Sequence, residues 1–310
     1  MIVDELVIHL KAGKGGDGCR ATSRDSLYKP IAWGGDGGRG GSIFLKVSPH
    51  IYDISKFRRK KSFAAEDGKN GLSNNKTGKS GEDLVLYLPL GTQVKNPDQE
   101  IIVDMKQCDS IFEIVKGGRG GKGNYRRNYV TPPEPGEERD VVLDYRIPND
   151  LALVGLPNSG KTTLFNILCD KSYKVADYPF TTKSCVWADY EYRFQKIIVL
   201  DLPALVKDAD KGKGVGDNFL KHLYRTKAVL LISDNEKTFH KDIVLLKAQI
   251  GIFDKGLLNN KKFFSLLTKT DKIYKGKTKN SFRLDGKESC GIDRLKEVIS
   301  AALDMRSSWK

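Results

Sequence analysis

Over the first 148 positions, short apolar runs with partial alternation predict strands at 3–12, 42–48, 83–94, 100–105, 111–118 and 139–147, where β-branched and large apolar residues recur at a period near two. Beyond that point the pattern changes. Apolar strands at 151–154, 184–191, 196–201, 228–233, 263–268 and 281–285 alternate with helical stretches at 162–169, 217–227, 240–253 and 291–303. The last helix repeats Ile292, Leu295, Ile299 and Leu303 on one face. This order predicts an α/β unit with a six-stranded, mainly parallel sheet and a ligand at the strand carboxyl ends. The expected division is 1–148, then 149–305, then a short tail at 306–310.

Glycine sharpens the division, because 21 of the 31 glycines lie at or before Gly136. There they recur every third residue, as in Gly34/Gly37/Gly40, Gly35/Gly38/Gly41 and Gly117/Gly120/Gly123. Three residues per turn is the polyproline II period, so glycine falls on fixed faces of left-handed extended segments able to pack backbone against backbone. Serine is sparse and strands intervene, which disfavours a flexible linker. A β-barrel or sandwich carrying these segments accommodates both patterns.

Charge adds a partner class. The chain carries 53 Lys+Arg against 39 Asp+Glu, a formal charge of +14, which suits a polyanion or a soluble basic surface. Arg20, Arg24 and Lys29 lie near the first glycine-rich excursion, Lys69 and Lys76 in the second, and Arg119, Lys122, Arg126 and Arg127 in the third, with Tyr28, Tyr125 and Tyr129 interleaved. Cations for phosphates and aromatic faces for unpaired bases make these the RNA-binding candidates; solvated loop charge is the plainer reading. The five cysteines form no CxxC pair, no apolar run is long enough to cross a membrane, and the N-terminus lacks a signal-peptide pattern. A cytoplasmic location is expected.

Between the strand at 151–154 and the following helix stands Gly155-Leu156-Pro157-Asn158-Ser159-Gly160-Lys161-Thr162, which fits G-x-x-x-x-G-K-S/T. Such a loop lets backbone N–H groups wrap phosphates, carries Lys161 to the β/γ oxygens and offers the Thr162 hydroxyl to Mg²⁺ at the positive end of a helix. By itself it leaves ATP and GTP open. "KIIVL" delivers Asp201 at a strand end, where an acid can serve the Mg²⁺ shell, followed by Leu202-Pro203-Ala204. Thr268-Lys269-Thr270-Asp271 is similar to the guanine-reading N/T-K-x-D motif, and Ser289-Cys290-Gly291 to the small-residue loop behind the base. A carboxylate can accept both N–H groups of guanine, and adenine lacks that pair, so GTP is expected.

With "AGKGGDGC", "GGDGGRGGSI", "GKSGEDLVLYLPLGT" and "KGGRGGKGN" ahead of "VGLPNSGKTTLFN", "VADYPFTT" and "GDNFLKHLYRT", the chain resembles the Obg/CgtA family of ribosome-associated GTPases over residues 1 to about 303. The resemblance implies an N-terminal Obg fold, a small β-barrel bearing glycine-rich left-handed helices whose far loops meet rRNA of the large ribosomal subunit late in its assembly. It implies a slow GTPase second half acting in ribosome biogenesis and in stress and growth control, as a monomer. Carried onto this sequence, Gly155 to Thr162 hold the phosphates, with Lys161 stabilising charge. Phe180, Thr181, Thr182, Lys183 and Ser184 form the first switch, with Thr182 as a second Mg²⁺ ligand, and Asp201 to Ala204 begin the second. Asn158 matches a K⁺-binding asparagine of related GTPases.

The departures are specific. Ala204 stands where the family's D-x-P-G has glycine, so loop closure onto the γ-phosphate is expected to weaken. This leaves open an alternative in which the chain is a guanine-nucleotide-bound rRNA-binding assembly protein with little hydrolysis. Leu205 follows, so no glutamine orients water, and no general base is identified. Ile31-Ala32-Trp33 replaces one glycine-rich step. The chain ends near Lys310, so the C-terminal extension of many relatives is expected to be absent. The start at Met1-Ile2-Val3-Asp4 favours a bacterial cytoplasm over an organelle.

Overall fold

A computed structural model describes residues 5–24, 26–127, 129–169, 174–177, 184–205, 218–268, 281–283 and 289–304. The chain divides into two compact units, 4–145 and 146–310 with the first three residues.

The first unit carries β1 (Glu5–Lys11), β2 (Thr22–Arg24), β3 (Pro30–Ala32), β4 (Ile43–Val47), a short α1 (Lys56–Arg59), β5 (Ser62–Ala64), β6 (Leu84–Leu88), β7 (Thr92–Lys95), β8 (Ile101–Asp104), β9 (Ile111–Val115) and β10 (Glu138–Tyr145). Where a barrel was expected, the ladders among the described residues form separate sheets: β5-β1-β10-β7-β8, β6-β4-β9 and the ribbon β2-β3. Alternation sets the burial, since Ile43, Leu45 and Val47 of β4 are buried between half-exposed neighbours. β10 is buried from Val141 onward, and there Asp144 is held by the Lys95 ammonium at 2.8 Å.

The glycine segments run out from these strands and bond to one another at every third residue. Gly13, Gly16 and Cys19 donate N–H bonds to Gly41, Gly38 and Gly35. Gly118, Gly121 and Asn124 donate to Gly13, Gly16 and Cys19, and Gly37 and Gly40 donate to Gly121 and Gly118. Segments 66–72, 76–82 and 131–137 join through the same kind of bonds. The period of three is therefore a hydrogen-bonding period, and it brings backbones so close that a Cβ on Gly37 would overlap the Gly16 carbonyl. At the departure Ile31-Ala32-Trp33, the ribbon β2-β3 replaces a glycine step, and Trp33 packs edge-on against Tyr125 at 5.6 Å.

The second unit contains β11 (Asn149–Gly155), α2 (Lys161–Leu168), β12 (Lys174–Asp177), β13 (Ser184–Tyr192), β14 (Gln195–Asp201), a 3-10 helix at Asn218–Arg225, β15 (Thr226–Ser233), α3 (Phe239–Phe253), α4 (Lys255–Asn260), β16 (Lys262–Leu267), β17 (Ser281–Arg283) and α5 (Ser289–Asp304). Its sheet has seven strands in the order β12-β13-β14-β11-β15-β16-β17, one more than expected. The added strand, β12, pairs antiparallel with β13, and β13 pairs antiparallel with β14, while the other five run parallel. Leu151, Leu153, Leu164, Phe165, Leu230, Leu266, Leu295 and Ile299 fill the core, so α2 and α5 are seated by their apolar stripes. Among the described residues no helix is long and apolar enough to cross a membrane.

Candidate nucleotide site and RNA-facing surface

The buried strand β11 ends at Gly155 and the loop 156–160 leads into α2, so the first turn of that helix presents its N–H groups to the loop. Two loop residues take left-handed backbone, Asn158 at φ 61° and Gly160 at φ 83°. That conformation is ordinary for glycine and tolerated by asparagine. Lys161, only 7% exposed, donates from its ammonium to the carbonyls of Gly155 at 3.1 Å and Leu156 at 3.0 Å. The lysine is thereby stored across the mouth of the loop.

Asp201, at the end of β14, accepts a hydrogen bond from the Thr162 hydroxyl through Oδ2 at 2.9 Å. Its Oδ1 is buried and has no hydrogen-bond partner among the described residues, as is the Ser159 hydroxyl. Burial pushes the Asp201 carboxyl above the ordinary carboxylate range, against the opposing pull of the Thr162 hydroxyl and the Lys161 ammonium. An unsatisfied carboxylate oxygen beside a hydroxyl is a hard-oxygen donor set, the kind Mg²⁺ takes. The chain then turns back along β11: Leu202 N–H donates to the Leu153 carbonyl and Leu205 N–H to the Gly155 carbonyl, both at 3.2 Å. Ala204, half-buried between them, does not take left-handed backbone.

Thr268 is buried after β16, and its hydroxyl donates to the Ser159 carbonyl at 2.7 Å. The first residue of the motif expected to read guanine is thus tied to the loop expected to hold phosphate, a contact that sequence spacing alone does not reveal. Phe180, Thr181, Thr182, Lys183, Lys269, Thr270 and Asp271 lie outside the described residues. Ser184 opens β13. Ser289, Cys290 and Gly291, expected as a loop, form the first turn of α5.

In the first unit all nine RNA candidates are exposed, but they are not electrostatically alike. Lys69 faces Glu66 at 3.4 Å, Arg119 faces Glu134 at 3.9 Å, and Lys122 and Arg127 share Asp36 at 3.0 and 3.2 Å. Burial works against ionisation of Asp36, yet Lys122, the Gly123 N–H and Arg127 hold its carboxyl below the usual range. The side chain that organises the far end is Asn124, missed in the sequence: its Oδ1 accepts the Gly34 N–H at 2.8 Å. In the β2-β3 ribbon and the third glycine-rich stretch, Leu27, Tyr28 and Tyr129 expose 72%, 78% and 63% of their surface, and Arg126 stacks over Tyr125 at 5.2 Å.

A family model described as GTP1/OBG matches residues 3–147, and one described as 50S ribosome-binding GTPase matches residues 150–269. The chain is 34% identical over 326 residues to the GTPase Obg of Thermodesulfovibrio yellowstonii, covering 96% of each. It is 35% identical over 330 residues to that of Aquifex aeolicus, covering 96% of this chain and 94% of that protein. For Finegoldia magna the figures are 36% over 319 residues, 98% and 75%. The glycine-bonded first unit, the phosphate loop of the second and this full-length similarity agree: the chain belongs to the Obg family and is a GTP-binding, GTP-hydrolysing enzyme.

Proposed function

We propose that the chain is a slow GTP-dependent switch that docks its glycine-rich unit on rRNA of the large ribosomal subunit late in assembly, linking that step to stress and growth control in the cytoplasm. The observation carrying the switch is the stored charge set at the loop: Lys161 on two loop carbonyls, Thr162 on Asp201, and one Asp201 oxygen buried without a partner among the described residues. GTP entering the loop draws the Lys161 ammonium from the carbonyls to the β/γ oxygens, where it stabilises charge that grows as water attacks the γ-phosphoryl group. Loop residues 155–160 and the first N–H groups of α2 bind the phosphates. Thr162, Thr182 and, from the outer shell, Asp201 would hold Mg²⁺, which when bound neutralises charge on the phosphate oxygens; Asn158 would serve K⁺. Lys269, Thr270 and Asp271 read guanine, with Thr268 bracing them to the loop and Ser289, Cys290 and Gly291 behind the base. Phe180 to Ser184 and Asp201 to Ala204 act as the two switches.

The RNA reading rests on the exposed cations Arg20, Arg24, Lys29, Lys76 and Arg126 together with the exposed Tyr28 and Tyr129, Arg126 being stacked on Tyr125. Large subunits and K⁺ are expected to accelerate single-turnover GTP hydrolysis by the purified monomer. A rate equal to that in buffer under every condition, with GTP still bound tightly, would favour the second reading. In that reading Ala204 has converted the switch into a GTP- or GDP-bound rRNA-binding assembly protein.

A further inference from the structure

Cations on the strands of the first unit are paired as those of its glycine segments are, Lys11 with Glu138 and Lys95 with Asp144, but one basic run just ahead of β5 stands apart. Residues 56–61 read Lys-Phe-Arg-Arg-Lys-Lys, five cations in six positions, and none of them was among the RNA candidates. Phe57 is 2% exposed and packs edge-on against Phe63 at 5.5 Å, which fixes the run to the body of the unit. Arg59, Lys60 and Lys61 are exposed, and no carboxylate lies within 4 Å of them among the described residues. The Lys60 ammonium instead stands 5.2 Å from the Phe63 ring centroid.

Register places this run far from the tyrosine-bearing loops. The Lys61 carbonyl accepts the His9 N–H at 2.7 Å, whereas the far loops begin where Asn124 N–H meets the Cys19 carbonyl. The ten residue steps from His9 to Cys19, in extended or polyproline-like backbone, span about 30 Å. The basic run and the far loops therefore stand at opposite ends of a rod built from the glycine segments.

We propose that Arg59, Lys60 and Lys61 form a second RNA contact that grips phosphate backbone without reading bases. It rests on the proposed RNA docking of the far loops and adds a clamp at the other end of the rod. Three exposed cations with no carboxylate within 4 Å among the described residues match the charge of a phosphate ladder. The two aromatic rings are turned into the fold or covered by an ammonium, so no ring is offered to stack on a base. Phe57, buried, gives no apolar anchor for a membrane surface. Lysines also blunt edge strands, and β5 is an edge, but Arg59, Lys60 and Lys61 all precede that strand and occupy none of its three positions.

The test uses the full chain and a fluorescent RNA hairpin with an unpaired loop, long enough to span both ends, titrated between about 50 and 200 mM salt. Replacing Arg59, Lys60 and Lys61 by Gln is expected to lower the slope of log K against log salt by about 2, each lost phosphate contact removing roughly 0.7 to 0.9. A control of equal charge, Lys69→Gln with Lys79→Gln and Arg119→Gln, removes cations already paired with Glu66, Glu82 and Glu134 and is expected to lower it less. Equal losses in the two variants would overturn the clamp in favour of net charge. Aggregation with an unchanged slope would overturn it in favour of edge protection. Loss of binding to phosphatidylglycerol vesicles without loss on RNA would assign the patch to lipid and also overturn it. Replacing Arg20, Arg24 and Arg126 by Gln separates the two proposals. If only this far-end variant weakens binding, the clamp fails and the docking stands; if none of the variants does, the RNA reading itself fails.

Discussion

Glycine does two different jobs in the two units. In the first it is required by what lies beside it: segments bond at every third residue, and an added Cβ would overlap a neighbouring backbone carbonyl. At Gly160 in the second the requirement is conformational: the nearest atom to an added Cβ is the Thr268 hydroxyl at 3.3 Å, but φ is 83°. The first kind of glycine cannot be relieved by moving a side chain, whereas the second costs only backbone strain. The two kinds should therefore fail differently.

The largest effect is expected from Gly37→Ala, which drives a Cβ into the Gly16 carbonyl. Overpacking against immovable backbone is expected to cost about 3 kcal/mol or more and to unfold the first unit in denaturant while nucleotide binding by the second persists. Simultaneous loss of both would break the comparison.

Asp201→Asn is expected to lower single-turnover GTP hydrolysis by about 100-fold, the scale of removing one charge-positioning group. The same change should stabilise the nucleotide-free protein at neutral pH. The folded carboxyl sits above its unfolded value, so the folded state binds the extra proton and the stability due to this group falls as pH rises from the unfolded value through the folded one. Thermal melts against pH should lose that decline in the variant; an unchanged profile would show that Asp201 is not strained by burial.

Gly160→Ala is expected to cost roughly 1 to 2 kcal/mol through its left-handed backbone, read as a lower midpoint for the second unit alone. Ala204→Gly restores backbone freedom to the loop after Asp201 and is expected to raise hydrolysis several-fold while costing about 0.5 to 1 kcal/mol of stability. An unchanged rate would show that Ala204 does not limit closure.

The smallest change concerns a turn that takes left-handed backbone without glycine. Arg193 and Phe194 join β13 to β14 at φ 49° and 63°, with Phe194 fully exposed. Phe194→Gly is expected to stabilise the second unit by under about 1 kcal/mol, strain relief of about 1 to 2 offset by glycine's entropy, in a denaturant midpoint.

Much of the site could be read along the chain because its parts are local. The phosphate loop, the strand before it and the helix after it are contiguous, and Asp201 is marked by the apolar run that precedes it. The antiparallel β12 is not legible in the sequence because four residues, Lys174–Asp177, carry too little pattern to mark a strand. Thr268 was recognised for its motif but not for its bond to the Ser159 carbonyl, 109 residues away. The RNA candidates were named by charge, and charge alone does not tell Arg126, stacked on Tyr125, from Lys122, neutralised by an aspartate 86 residues distant.

The sequence by itself determined the two-unit order, the glycine period of three and the phosphate loop, because each is a local rule written in neighbouring residues. Only the tertiary structure decided that the period is a period of hydrogen bonds between segments, which cations are spent on carboxylates, and that Asp201 keeps one oxygen buried with no partner among the described residues. Those are properties of pairs distant in the chain, and they exist only where folding brings the partners together.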